Sequence, residues 1–300
     1  MAHLHVIAGA EARPAHPIIR TVTISDLFEV LKQGWDDFAA MPTHALFLFV
    51  MYPVIAIFAA GLAMGYHILP LAYPLMAGFA LIGPFIAIGL YEMSRRREAG
   101  LQADPSHAFD VFRSPSLPAI GALGFLLLVI FLAWITIAKQ LYESLFGYLP
   151  PDSLPGFVSH VLTTPEGWQL IMIGNAVGFV FAVVSFALSV ISFPLLLDRD
   201  AGAAVAITTS LRAIAKNPVT MVTWGIIVAG LLLLGALPFF VGLAVVIPVL
   251  GHATWHLYRK LVEFPDLPPL EVQPPSPKGR RYAADFPAAL FPVYEKKKDQ

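Results

Sequence analysis

The sequence predicts an all-α polytopic membrane protein: six transmembrane helices arranged as three proline-marked hairpins, each preceded by a short amphipathic cytoplasmic helix. Three observations predict it. Hydrophobic residues make up 57% of the 300-residue chain and charged residues only 13%, against about 45–50% and about 25% in soluble domains. One core of this size cannot hide that excess, so lipid has to cover it. Six apolar runs are long enough to cross a hydrocarbon layer of about 30 Å. A helix–proline–hairpin unit also recurs three times along the chain.

The predicted spans run over about 44–66, 68–91, 118–138, 168–197, 219–236 and 238–258. Residues 1–20, which lack the continuous apolar core of a cleavable signal, form a tail. Residues 21–260 form the membrane domain, with repeat units at about 21–97, 104–199 and 203–260. Residues 261–300 form a second tail, with eight prolines that favour extended structure. Its Phe286, Leu290, Phe291 and Tyr294 suit either a strap along another surface or a disordered tail. Of the 19 basic residues, all but Lys139 fall on one side of the predicted spans. By the positive-inside rule both termini of this multi-pass protein are expected to be cytoplasmic.

The repeat is marked by Pro42, Pro115 and Pro218. Four residues before each stand Phe38, Val111 and Ile214; seven before stand Trp35, Ala108 and Leu211, so both offsets share a helical face. The first amphipathic helix carries the stripe Ile24, Leu27, Phe28, Leu31, Trp35 and Phe38, opened by a Thr23–Asp26 capping box. Asp104 followed by Pro105 opens the second. Such a helix suits the cytoplasmic leaflet surface or a loop packed on the bundle. Pro84, Pro194 and Pro248, late in each hairpin, are expected to bend its second helix.

Within the spans the sequence places no Asp, Glu, Arg or Lys at mid-bilayer depth, which argues against a proton pump or an ion-coupled carrier. Asn175, between Gly174 and Gly178, reads as a close-packing site between helices. His252 and His256, one helical turn apart, are candidates for a metal or haem, yet the spans offer no further ligand. With Trp255, Tyr258 and Trp35 they are expected in an interfacial aromatic belt. Arg95, Arg96 and Arg97 read as a topology determinant compatible with an anionic-lipid site, for example for cardiolipin. The outward segment 140–167, with Phe146, Tyr148, Leu149, Phe157 and Val158, is apolar enough to pack on membrane, bundle or partner.

The chain has no cysteine, and no serine-nucleophile elbow, phosphate loop, dinucleotide fingerprint or zinc-protease helix. No cofactor is expected, and a net charge of −1 offers no field for nucleic acid.

The stretches His252–Ala253–Thr254–Trp255–His256–Leu257–Tyr258–Arg259 and Gly34–Trp35–Asp36–Asp37–Phe38 resemble a bacterial family of six-helix inner-membrane proteins catalogued as a domain of unknown function. The resemblance covers about Val22 to Val262. Some members of that family are named putative cytochrome c oxidase subunits, which implies an accessory place beside a respiratory oxidase. The sequence thus leads to a non-catalytic accessory subunit of a membrane complex, with the bilayer and other membrane subunits as partners. The alternative is a transporter or channel for an uncharged or lipid-like solute.

Overall fold

The structure, a computed structural model, describes residues 17–41, 69–149, 151, 153–237, 240–265 and 267–271. The first predicted span and three quarters of the proline-rich tail lie outside the described residues.

Each amphipathic segment forms a helix that stops just short of its proline. Helix α1 (Ile24–Ala40) starts at Thr23, whose extended backbone lets its hydroxyl accept from the Asp26 amide while the Asp26 carboxylate accepts from the Thr23 amide, a capping box. A 3₁₀ helix (Pro105–Arg113) follows Asp104 and ends two residues before Pro115. In the third copy, helix α8 (Ala203–Lys216) is separated by Asn217 from Pro218, the first residue of the next helix.

Between them run α2 (Leu69–Ile86), α3 (Ile88–Glu98), α4 (Leu117–Phe146), α5 (Leu154–Thr163), α6 (Pro165–Ser189), α7 (Ser192–Asp198), α9 (Pro218–Ala236) and α10 (Leu243–Leu261). Among the described residues, three stretches are long and apolar enough to cross a membrane: Leu117–Phe146, Pro165–Asp198 and Pro218–Ala236, with mean hydropathies of 2.7, 2.5 and 2.2. They coincide with the third, fourth and fifth predicted spans. The third outruns its predicted end at 138 by two turns, closing at Gly147, where a φ of 80° suits a residue without Cβ.

Two of the three late prolines fall beside interruptions. The second predicted span divides at Ala87 into α2 and α3, three residues past Pro84. The fourth divides at Val190–Ile191, before Pro194, which has no amide to give the Val190 carbonyl. Hydroxyls serve the backbone at that break: Ser192 donates to Leu188 O (2.6 Å), and Ser210 of α8 donates to Ala187 O (2.8 Å) while accepting from Ile191 N (3.4 Å). Pro248 lies inside an uninterrupted α10.

The outward segment is not one loop. Helix α5 folds onto the end of α4 through Tyr142, Phe146, Phe157 and His160, with the Tyr142 and Phe146 rings stacked at 5.1 Å. Tyr148 and Leu149 stay exposed.

The core gathers at one end of the helices, around Leu27, Ile120, Phe193, Trp224, Trp255 and Tyr258, while the middles of α4, α6 and α9 expose Phe125, Phe179 and Ile226. Ile18–Ile19 pairs antiparallel with Val262–Glu263, and Asn217 bonds both Val22 N (2.9 Å) and Arg20 O (3.1 Å). The folded body therefore begins before residue 21 and passes residue 260, because backbone left at its edges finds partners there.

Candidate functional site

Helix α1 packs most extensively on α10, and Gly34 allows it. A Cβ at Gly34 would stand 2.6 Å from Val249 O and 2.7 Å from Ala253 N, so the two backbones meet with no side chain between them. Asp37, nearly one turn further on the same face, is thereby delivered to the histidines of α10.

Around Asp37 four polar side chains converge. His256 Nε2 lies 2.9 Å from its Oδ2, the Ser94 hydroxyl donates to the same oxygen at 2.5 Å, and Arg97 donates to Oδ1 at 2.6 Å. Ser94 Oγ is also 2.8 Å from His252 Nδ1. Asp37, Ser94 and His252 are buried. Burial alone would push the Asp37 carboxyl up; the hydrogen bonds from His256 and Ser94 and the nearby histidines outweigh it and hold the group below the usual carboxylate value.

A second cluster continues along α10. Trp255 Nε1 donates to Glu98 (2.9 Å), Arg259 to Glu98 (3.0 Å) and Asp198 (3.4 Å), and the buried Tyr258 hydroxyl to Asp198 (2.8 Å). Lys260 reaches Asp26 (3.0 Å) and Glu29 (2.8 Å) on α1. Gln33, Asp36, Asp37, Arg97, Glu98, His256, Arg259 and Lys260 line a polar cleft of about 470 Å³.

Several sequence expectations read differently in three dimensions. Arg95, Arg96 and Arg97 do not form an outward basic patch: Arg95 pairs with Glu92 (2.7 Å), the fully buried Arg96 with Asp110 (3.2 Å), and Arg97 with Asp37. Acids on α3 and the 3₁₀ helix draw Arg95 and Arg96 inward, while Arg97 stays exposed beside Asp37 of α1. Trp255 and Tyr258 are enclosed in the core rather than set in a belt, because carboxylates there accept from their N–H and O–H; Trp35 is exposed. His252 and His256 do share a face, but that face is turned to Asp37 and Ser94. In the spans, Asn175 donates to Ile171 O (2.7 Å) and accepts from the Tyr73 hydroxyl of α2 (2.7 Å). A Cβ at Gly178 would meet the Trp134 ring of α4 at 3.0 Å, whereas Gly174 has 3.7 Å to Leu141.

Asp37, Ser94, Glu98 and Asp198 were not singled out by the sequence reading. A signal for Asp37 existed: three residues separate it from Gly34, which places both on one helical face.

Residues 72–198 match the model of the family DUF2189, described as a predicted integral membrane protein. Three apolar helices of spanning length agree with that description. The chain is an integral membrane protein. The matched segment runs from α2 through α7 and takes in Arg95–Arg97 and Asn175, but neither Gly34–Phe38 nor His252–Arg259. No curated protein and no solved structure matches the chain.

Proposed function

We propose that this protein is a non-catalytic accessory subunit of a membrane protein complex, and that the complex is a respiratory oxidase of a bacterial inner membrane. Six spans, grouped as three hairpins with both termini cytoplasmic, complete that reading. The observation that carries it is how the chain uses its ionisable side chains. The acids and bases of α1, α3 and α10 bind one another and clamp helices together, as Asp37 does with Ser94, Arg97 and His256. That is the arrangement of a scaffold, in which buried polar groups fix how helices meet. Affinity purification of the tagged full chain in mild detergent, with mass spectrometry of what accompanies it, tests the reading. Stoichiometric oxidase subunits support it, and their absence removes the oxidase assignment.

A transporter or channel for an uncharged or lipid-like solute is the second reading. The interruptions at Ala87 and Val190–Ile191 favour it, since broken helices commonly line solute paths. Solute flux into liposomes holding the purified chain is its test, and its absence across uncharged solutes removes it.

A further inference from the structure

Helix α1 has three faces, and protein and water account for two of them. At about 100° per residue, Leu27, Val30, Gly34 and Asp37 fall within roughly 80° of arc, and all four are buried. Glu29, Lys32, Gln33 and Asp36 occupy a second sector. The third, again roughly 80° wide, holds Ile24, Phe28, Leu31, Trp35 and Phe38. On it Phe28 is 64% and Trp35 53% exposed, and the Trp35 and Phe38 rings lie 5.7 Å apart.

The same division recurs in the 3₁₀ helix, where residues three apart eclipse one another. Ala108 and Val111 are buried, His107, Asp110 and Arg113 share a polar face, and Phe109 and Phe112 stack outward at 6.5 Å, 50% and 68% exposed. On α8 the buried face is Ala206, Thr209, Ser210 and Ala213; the outward stripe is Ala204, Thr208, Leu211 and Ala215, beside the basic Arg212 and Lys216.

We infer that these third faces are seated in the headgroup–acyl boundary of the bilayer, with Phe28, Trp35, Phe109, Phe112 and Leu211 as the inserted side chains. Depth and continuity carry the inference. The 3₁₀ helix ends at Arg113 and the span begins at Leu117; α8 ends at Lys216 and the next span begins at Pro218. Linkers this short hold each helix within about 10 Å of a span's end. The spans that follow open with exposed apolar side chains of their own, Val219 and Val222 after α8 and Phe125 after the 3₁₀ helix. A protein partner would have to supply a separate apolar surface for each of the three faces, whereas one lipid surface meets all three. Aromatic rings flanked by Lys32, Arg113 and Arg212 are the composition of that boundary. Each of the three elements then serves at once as a packing helix and as a membrane anchor. The inference does not depend on the accessory role.

The chain has no cysteine, so single nitroxide labels can be placed without background. Phe28→Cys, Trp35→Cys, Phe112→Cys and Leu211→Cys, with Asp36→Cys on the polar face of α1, are labelled in the full chain. Each is reconstituted into phosphatidylethanolamine–phosphatidylglycerol vesicles and read by electron paramagnetic resonance with oxygen and a water-soluble nickel chelate. The expected result is oxygen access above nickel access at positions 28, 35, 112 and 211, and the reverse at 36. Two labels on the α1 stripe keep the test standing if one variant does not fold. An Asp36-like ratio at all sites would place the stripes in water. Exclusion of both reagents would place them under protein, whether a span or a partner. Either result overturns the inference.

Discussion

Replacing Asp37 by alanine removes the group on which α1, α3 and α10 converge. Breaking a buried ion pair costs about 3–5 kcal/mol, chiefly because the remaining charge is left buried. Here Arg97 is 40% exposed at its side chain and can regain water, which lowers the cost to roughly 2–4 kcal/mol. Ser94 loses its acceptor and His256 its partner, so the penalty falls on three elements together. Asp37→Asn keeps the shape and the Ser94 bond and should lose about half as much. In detergent, loss of helical circular dichroism on heating should occur on the order of 5–10 °C earlier for Asp37→Ala. The adjacent Asp36→Ala, on the exposed face, should stay within about 0.5 kcal/mol of the parent. Equal melting of Asp37→Ala and Asp36→Ala would refute the reasoning, because it would mean that the convergence on Asp37 holds nothing.

Three further outcomes follow from the same contacts. Gly34→Ala gains about 1 kcal/mol in helix propensity but drives a methyl into the α10 backbone; overpacking costs about 1–3 kcal/mol, so the variant should melt earlier and Gly34→Leu earlier still. Tyr258→Phe leaves Asp198 short of one donor in a buried site and should cost about 1.5–3 kcal/mol, read by the same melting assay. The link from Lys260 to Asp26 should depend on pH at both extremes. Asp26, held down to about 2 by hydrogen bonds from the Thr23 side chain and backbone and from Lys260, contributes fully above its ordinary 3.8 and loses that contribution as pH falls towards 2. Lys260, raised above 10.5 chiefly by its hydrogen bond to Glu29, contributes fully below 10.5 and loses it as pH rises further. A pH titration of melting temperature should show the Lys260→Met difference constant between about 4 and 10 and shrinking outside that window.

The third, fourth and fifth spans are legible in the sequence as long apolar runs, whereas the helix Leu154–Thr163 falls in a segment whose composition reads as a loop. Pro115 and Pro218 end or separate helices because a proline ring obstructs the preceding turn, and that is written in residue type alone. Periodicity also identified α1 as amphipathic, yet it merged two faces: Leu27 was grouped with Phe28 and Trp35, although only Leu27 is buried. A hydrophobic stripe does not say whether protein or lipid covers it. The offsets before the prolines fared similarly. Ala108 and Val111 turn inward on a 3₁₀ helix, whereas Trp35 and Leu211, at an equivalent offset on α-helices, turn outward, because 120° and 100° steps carry one spacing to different faces. Arg95–Arg97 looked like a surface patch because their acids come from residues 92, 110 and 37, two of them distant in sequence. Gly34 was visible as a residue; what it permits depended on α10 lying across it.

The central claim is that this chain works as part of an assembly, and its mass in a native membrane patch tests that most directly. Extracted with its surrounding lipid by a nanodisc-forming polymer and measured by native mass spectrometry, the 32.6 kDa chain should appear within a larger particle that releases unlike membrane subunits on activation. A particle that releases only this chain and lipid would contradict the account.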